Sequence, residues 1–391
     1  MIDKQHVASD LVQPIMVSDR ESFLAMMAHL KKQPRIALDT ESDSLFSYYA
    51  KVCLIQISAW GTDCIVDYLL DPLLYREIDE LNTILADPNT EIIMHAAYND
   101  ILTLQREYEF TFRCIFDTQL TARILGWKRT GLASVLEEHF DVLSDKKMQR
   151  TNWGQRPLTT RQQLYAQMDT HYLFELRRLQ FEQLEVKKRV EEAQEAFESL
   201  EKVNYHERPV QEKNFWQMRS AKSIPREKTG VLQALWQWRE KTAQKMDRPP
   251  FKVINDAVLT EIAMATPKDQ HTLRQVHGLS QYQVQRFGKS LLRTIQNSFD
   301  RPLPKLPAHR GRPQSMLDEK TMQCYEALRS WRTATAEVRG VDPDIVFSND
   351  TLLAIAKRAP LSMTALLELT DVGPWKAKTY GPDLLQVLAN V

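Results

Sequence analysis

The C-terminal half of this chain is written twice. Leu235-Trp-Gln-Trp-Arg239 returns as Leu328-Arg-Ser-Trp-Arg332, Leu259-Thr-Glu-Ile-Ala263 returns as Leu352-Leu-Ala-Ile-Ala356, Pro267 maps onto Pro360 and Gly288 onto Gly381, all at an offset of 93 residues. One offset shared by four separated landmarks predicts a duplicated unit. The apolar residues within each copy recur at helical spacing, so each copy is expected to be all-helical, at 226–297 and 319–391. Trp236, Trp238 and Trp331 sit among Leu and Ala at that spacing and are read as core. Between the copies, 298–318 contains Arg301-Pro-Leu-Pro-Lys-Leu-Pro-Ala-His-Arg-Gly-Arg-Pro313, whose prolines exclude a helix and predict a semi-rigid basic linker.

Residues 1–205 read differently. Arg35 to Asp39, Val52 to Ser58, Cys64 to Asp67 and Glu91 to His95 are short runs rich in branched residues, the pattern of buried strands. The first three follow one another too closely for crossover helices, which predicts an antiparallel start to a mixed sheet. Helical patterns are expected at about 75–86, 98–108, 117–126, 131–140 and 159–181. The run 182–204, mostly Glu and Lys without a broad apolar face, is read as a solvated connecting helix.

Lys+Arg and Asp+Glu both number 51, but residues 1–200 carry a balance of −9 and residues 201–391 a balance of +9. Such opposition fits nucleic-acid contact and equally fits two domains of different surface charge. Only 11 Gly in 391 residues leaves little material for a glycine-rich phosphate cradle. The nearest match, Gly126 to Gly131, has Leu132 where a P-loop needs Lys. The cysteines, Cys53, Cys64, Cys114 and Cys324, show no metal-ligand spacing and are expected to be reduced thiols of a cytoplasmic protein. No apolar run is long enough to span a membrane, and the N-terminus has no secretory pattern.

Three groups of acids stand out. Asp39 and Glu41 in Leu38-Asp-Thr-Glu41 alternate on a strand end and so share a face. Asp100 follows the strand at His95, in the first turn of a helix whose dipole favours a carboxylate. Tyr165 and Asp169 are four apart on a helix and share a face. Singly, each has an ordinary structural explanation. In this order, the set resembles the DEDD superfamily of 3′→5′ exonucleases in its Tyr subgroup, and within it the ribonuclease D family. Leu54-Ile-Gln-Ile57, His95-Ala with Asp100, Phe116-Asp-Thr-Gln119, and Arg150-Thr-Asn-Trp153 leading to Arg156-Pro-Leu-Thr159 are similar to further family landmarks, and the repeats resemble the helical domain shared by RecQ-type helicases and ribonuclease D (HRDC).

The resemblance implies a ribonuclease H-like α/β exonuclease domain followed by two HRDC bundles. It implies catalysis by Asp39, Glu41, Asp100, Tyr165 and Asp169, the four acids holding two Mg²⁺ or Mn²⁺ ions for phosphodiester hydrolysis. Asp39 would bridge both ions, Glu41 and Asp169 would complete the water-activating site, Asp100 would hold the ion near the leaving oxygen, and Tyr165 would orient the water. The products expected are nucleoside 5′-monophosphates, trimmed from the 3′ ends of transfer RNA precursors and other small structured RNAs. Lys146, Lys147, Arg150, Trp153 and Arg156 form a basic stretch with one aromatic, suited to phosphate contact and base stacking. The positions Gln167 and Met168 are expected to be free of chemical constraint, His171 to have no catalytic role, and His95 to be a strand-end packing residue. The competing readings are a DNA exonuclease of the same superfamily and an RNA-binding scaffold without activity. No protein partner is predicted.

Overall fold

A computed structural model of the chain describes residues 11–205, 214–299, 302–305, 318–369 and 372–391. Residues 306–317, most of the expected linker, lie outside the described residues. The chain divides into two units: 1–41, 52–207 and 311–391 in one, and 42–51 with 208–310 in the other.

The first unit is built on a six-stranded sheet. Its elements run β1 (Ile15–Val17), α1 (Arg20–Leu30), β2 (Arg35–Ser42), β3 (Val52–Trp60), β4 (Ile65–Leu70), α2 (Asn82–Leu85), β5 (Glu91–Met94), α3 (Tyr98–Tyr108), β6 (Ile115–Asp117), α4 (Thr118–Leu125), α5 (Leu132–Phe140), α6 (Thr160–His171), α7 (Leu173–Val186) and α8 (Val190–Glu201). The strand order is β1-β4-β3-β2-β5-β6. β3 and β4 are antiparallel, while β1–β4, β2–β5 and β5–β6 are parallel, so the sheet is mixed. Alternation sends Ile36, Leu38, Ile55 and Ile57 into one core layer. Ala37 enters a second core with Ile93 and Phe116, and Leu54 a third with Tyr165 and Ala166.

The structure differs from the sequence reading in three places. The expected helix at 75–86 is only a single 3₁₀ turn and α2. The expected helix at 159–181 is two, α6 and α7, meeting at Tyr172. The charged run is not a free connector: α8 drives Ala193 and Phe197 into the core, and its acids bind the second helical repeat. Glu192 pairs with Arg339 at 2.5 Å, and the Glu195 carboxylate accepts from the N–H groups of Trp375 and Lys376 at 2.6 and 3.2 Å. Those amides open the last helix of the chain, where a carboxylate satisfies donors that the helix itself leaves unpaired.

The repeats match element by element. α9 (Thr229–Lys245), α10 (Pro250–Val253), α11 (Asp256–Ala265), α12 (Gln270–Arg274) and α13 (Gln281–Ser298) correspond to α14 (Glu319–Arg339), α15 (Pro343–Val346), α16 (Asn349–Arg358), α17 (Met363–Leu367) and α18 (Pro374–Ala389). Each copy buries one arginine for the same purpose. Arg239 donates to the Ile254 carbonyl at 3.1 Å and to Asp256 at 2.6 Å; Arg332 donates to the Phe347 carbonyl at 2.8 Å and to Asn349 at 2.9 Å. A guanidinium suits the task because one planar group closes two bonds. In the second unit, residues 42–51 pack with the first repeat: Tyr48 N–H donates to Asp247 at 3.0 Å, Gln244 donates to the Tyr49 hydroxyl at 2.6 Å, and Lys252 Nζ lies 3.7 Å from the Phe46 ring centre. No helix among the described residues is long and apolar enough to cross a membrane. All four cysteines are free thiols.

Candidate active site

One cavity of about 470 Å³ opens in the first unit, and Asp39, Glu41, Asp100, Tyr165 and Asp169 all line it. β2 brings Asp39 and Glu41 to one face at its end, as strand alternation requires. Asp100 arrives by a sharper turn. Ala96 has a left-handed φ of 61° between β5 and α3, and Asp117 holds that turn by accepting from Ala96 N–H at 3.1 Å and Ala97 N–H at 2.9 Å. The same carboxylate caps α4 through Gln119 and Leu120. Asp117 therefore ties β6 to the first turn of α3, and Thr40 Oγ1 donates to the Asp100 carboxylate from the strand beside it. On α6, a capping box of Thr159 and Gln162 fixes the start of the helix, and Tyr165 and Asp169 follow one turn apart.

The acids disturb one another. Burial, then Asp100, Asp169 and Glu41, hold the Asp39 carboxyl well above the ordinary carboxylate range. Burial followed by Asp169 and Asp100 pushes Glu41 up to about 9. Burial also raises Asp169, against a hydrogen bond from Tyr165, and raises Asp100, against the bond from Thr40. The Tyr165 hydroxyl is likewise raised, by burial and then by Asp169, Glu41 and Asp39, so it stays protonated as a donor. Gathered anions of this kind favour protons or cations. All four are oxygen ligands, the type that hard divalent ions prefer. Among the described residues no group of three or more His, Cys, Asp or Glu side chains is drawn together tightly enough to hold an ion alone.

The other expected residues separate. Lys146 lines the cavity, and Arg150 is exposed outside its lining. Trp153 and Arg156 do not fit the expected binding role. Trp153 is 1% exposed, packed with Cys53, Leu54 and Leu69, which leaves no ring face for a base. Arg156 is held by Asp71, by the Trp153 carbonyl at 2.6 Å and by the Cys53 carbonyl at 2.5 Å, so its guanidinium is committed within the fold. Asp71 is buried, and a buried carboxylate demands such a partner. His95 Nδ1 lies 2.8 Å from Thr118 Oγ1, as a packing residue would, yet the residue also lines the cavity, and burial lowers its ring to about 4, so it is neutral. Gln167 is not unconstrained: it is 2% exposed and donates to Asp67 at 2.7 Å. The cavity wall also includes Gln119, the last residue of the Phe116-Asp-Thr-Gln119 landmark, and Ser134, Ser144 and Gln149, which the sequence did not single out. Gly131 lines it too, as the N-cap that opens α5, while Gly126 takes a left-handed φ of 81° to end α4, so the two glycines mark helix boundaries.

Comparison with known proteins agrees with this architecture. Residues 14–183 match the 3′-5′ exonuclease family, and residues 228–295 and 321–388 match the HRDC domain. Ribonuclease D of Desulfotalea psychrophila is 28% identical over 344 residues, covering 88% of this chain and 90% of the relative. Ribonuclease D of Granulibacter bethesdensis is 27% identical, covering 95% and 92%. The crystal structure of Escherichia coli RNase D superposes with a TM-score of 0.65 at 22% identity, covering 97% of this chain and 99% of that one, and so shares its fold. An exonuclease domain with two HRDC domains behind it is the arrangement found here, and the chain is similar to these ribonuclease D relatives nearly end to end.

Proposed function

We propose that the chain is a 3′–5′ exoribonuclease that trims the 3′ ends of transfer RNA precursors and other small structured RNAs, using two Mg²⁺ or Mn²⁺ ions. The observation that carries this is the convergence of four carboxylates and a neutral tyrosine on one cavity. When bound, the ions would supply a nucleophile from water at neutral pH and offset charge on the leaving 3′-oxygen. Asp39, whose carboxyl is raised by burial and by the other three acids, would be the ligand shared between the ions, as the family resemblance implies. Glu41 and Asp169 would complete the water-activating site, and Asp100, which accepts from Thr40, would help hold the ion near the leaving oxygen. Tyr165 keeps its proton and would orient the attacking water through a hydrogen bond. Lys146 on the cavity wall can meet a substrate phosphate. Four free thiols support a cytoplasmic setting.

For the body of a structured RNA, α13 of the first repeat offers the better surface. Tyr282, Arg286, Lys289 and Arg293 share one exposed helix face, and α13 contains no Asp or Glu. The second copy has Trp375, Thr379, Pro382 and Gln386 at these places. That face tracks phosphates without reading sequence. The test is 3′-extended transfer RNA against matched single-stranded DNA in Mg²⁺ or Mn²⁺. Faster trimming of the RNA is expected. Equal or faster DNA trimming would overturn the substrate, and no hydrolysis with either metal would favour an inactive scaffold.

A further inference from the structure

α6 has a second polar edge. At about 100° per residue, Ala166 and Thr170 face the sheet, Tyr165 and Asp169 lie on one flank, and Gln167 and His171 lie on the other. The sheet-facing stripe is anchored where Ala166 packs with Leu54 and where Ser58 Oγ accepts from the Thr170 hydroxyl across 2.7 Å. The far flank closes on a single carboxylate. Gln167 Nε2 donates to Asp67 Oδ2 at 2.7 Å and to the Val12 carbonyl at 2.6 Å, and His171 Nδ1 lies 2.8 Å from the same Oδ2. The other oxygen, Oδ1, accepts from Ser58 Oγ at 2.6 Å. Ser58 and Asp67 stand opposite each other in the β3–β4 pair, and Asp67 is 5% exposed.

None of Asp67, Gln167 and His171 lines the cavity, so the cluster does not touch the reacting atoms. Adhesion of α6 to the sheet does not require it either, because Leu54, Leu69 and Ala166 already supply apolar contact. Buried polar groups are costly beside an apolar filler of the same size. What hydrogen bonds add is direction: they fix how far a helix is turned about its axis. Asp169 rides on the opposite flank of that axis. Turning α6 by about 10° moves a side-chain end about 6 Å from the axis by about 1 Å, enough to spoil a reacting geometry.

We propose that Asp67 is a positioning residue of the exonuclease site: by gripping Gln167 and His171 it fixes the rotation of α6, and with it the stance of Asp169 and Tyr165. The inference rests on the metal-dependent reading of the site, and its test reads metal binding rather than turnover. Mn²⁺ binding to the full chain, without RNA, is measured by calorimetry for wild type, Asp67→Leu, Asp67→Asn and Leu30→Ala, alongside thermal melting. Leu30 belongs to a core cluster that contains no residue of α6.

Asp67→Leu fills the space but accepts no hydrogen bond, and is expected to weaken Mn²⁺ binding about tenfold or more, the scale seen when a partner of a metal ligand is lost. Asp67→Asn is expected to recover most of the affinity, since its carbonyl can accept from Gln167 and His171 while its amide donates to Ser58, which passes its own proton to Thr170. Leu30→Ala is expected to melt earlier yet bind Mn²⁺ as wild type does. If Asp67→Leu does not fold, Gln167→Leu takes its place and is expected to weaken binding in the same direction. Wild-type affinity in Asp67→Leu, or in Gln167→Leu as its substitute, overturns the proposal and leaves Asp67 a stabilising residue only. A wild type that binds no Mn²⁺ overturns the metal reading and the inference with it, a result distinct from binding that no variant alters.

Discussion

Replacing Asp39 by asparagine should make the metal-free protein more stable while removing its activity. In the folded chain the Asp39 carboxyl is held far above its usual 3.8 by burial and by Asp100, Asp169 and Glu41. At pH 7 it must either ionise beside them or hold a proton against that ordinary value. The second choice costs at most about 4 kcal/mol, from about three pH units at 1.36 kcal/mol each. Asparagine has nearly the same shape and incurs neither cost. Because neighbouring acids share the strain and relax together, about 1–3 kcal/mol of that ceiling is expected to appear, which is about 2–10 °C in Tm for a folding unit of this size. Catalysis moves the other way. Losing a ligand that the proposed ions would share should remove several kcal/mol of charge stabilisation, about 10³-fold in rate at 1.36 kcal/mol per decade. The assay is melting of wild type and Asp39→Asn in chelator and in excess Mn²⁺, paired with RNA hydrolysis. Mn²⁺ should raise the Tm of wild type by mass action and leave the variant almost unmoved. Equal melting in chelator, or equal gains with Mn²⁺, would refute the argument that these acids are held against mutual repulsion for a cation.

Other outcomes test separate parts of the account. Arg156→Ala strands the buried Asp71 carboxylate and should cost about 3–5 kcal/mol of stability, read by denaturant unfolding, while the folded fraction keeps wild-type affinity for RNA. Replacing Arg286, Lys289 and Arg293 together by Ala should reduce the slope of log affinity against log salt by about 2 for single-stranded RNA, with melting unchanged. Glu41 has a folded value of about 9 against an ordinary 4.5, so its folded form binds the proton more tightly. Its contribution to stability is therefore complete below the ordinary value and lost as pH rises through about 9. The Tm of metal-free wild type should fall across that window, less steeply in Glu41→Gln, and Mn²⁺ should flatten the fall.

The parts of the site visible in the sequence were those set by local geometry. Asp39 and Glu41 share a face because a strand alternates, and Tyr165 and Asp169 because a helix turns every 3.6 residues. The repeats were legible for a similar reason, since Arg239 and Arg332 perform one task in two copies and keep one spacing. What the sequence did not disclose depends on partners distant along the chain. Trp153 and Arg156 have the composition of a nucleic-acid loop, and only Asp71 and Cys53, brought alongside by the fold, turn them inward. Gln167 lacks meaning until β4 places Asp67 against it. β1 and β6, three residues each, are too short for any periodicity to register. The charged face of α8 reads as solvated because its partners, Arg339 and the first amides of α18, lie in the second repeat.

The central claim is that this cavity removes nucleotides from a free 3′ end with the help of divalent metal. The most direct measurement offers the purified chain a 5′-labelled RNA with a free or a blocked 3′ end, in Mn²⁺ and in chelator, beside Asp39→Asn. The account predicts a ladder shortening from the free 3′ end, nucleoside 5′-monophosphates as products, and no reaction with the blocked end, in chelator or with the variant. Internal cleavage, activity in chelator, or full activity of Asp39→Asn would contradict it.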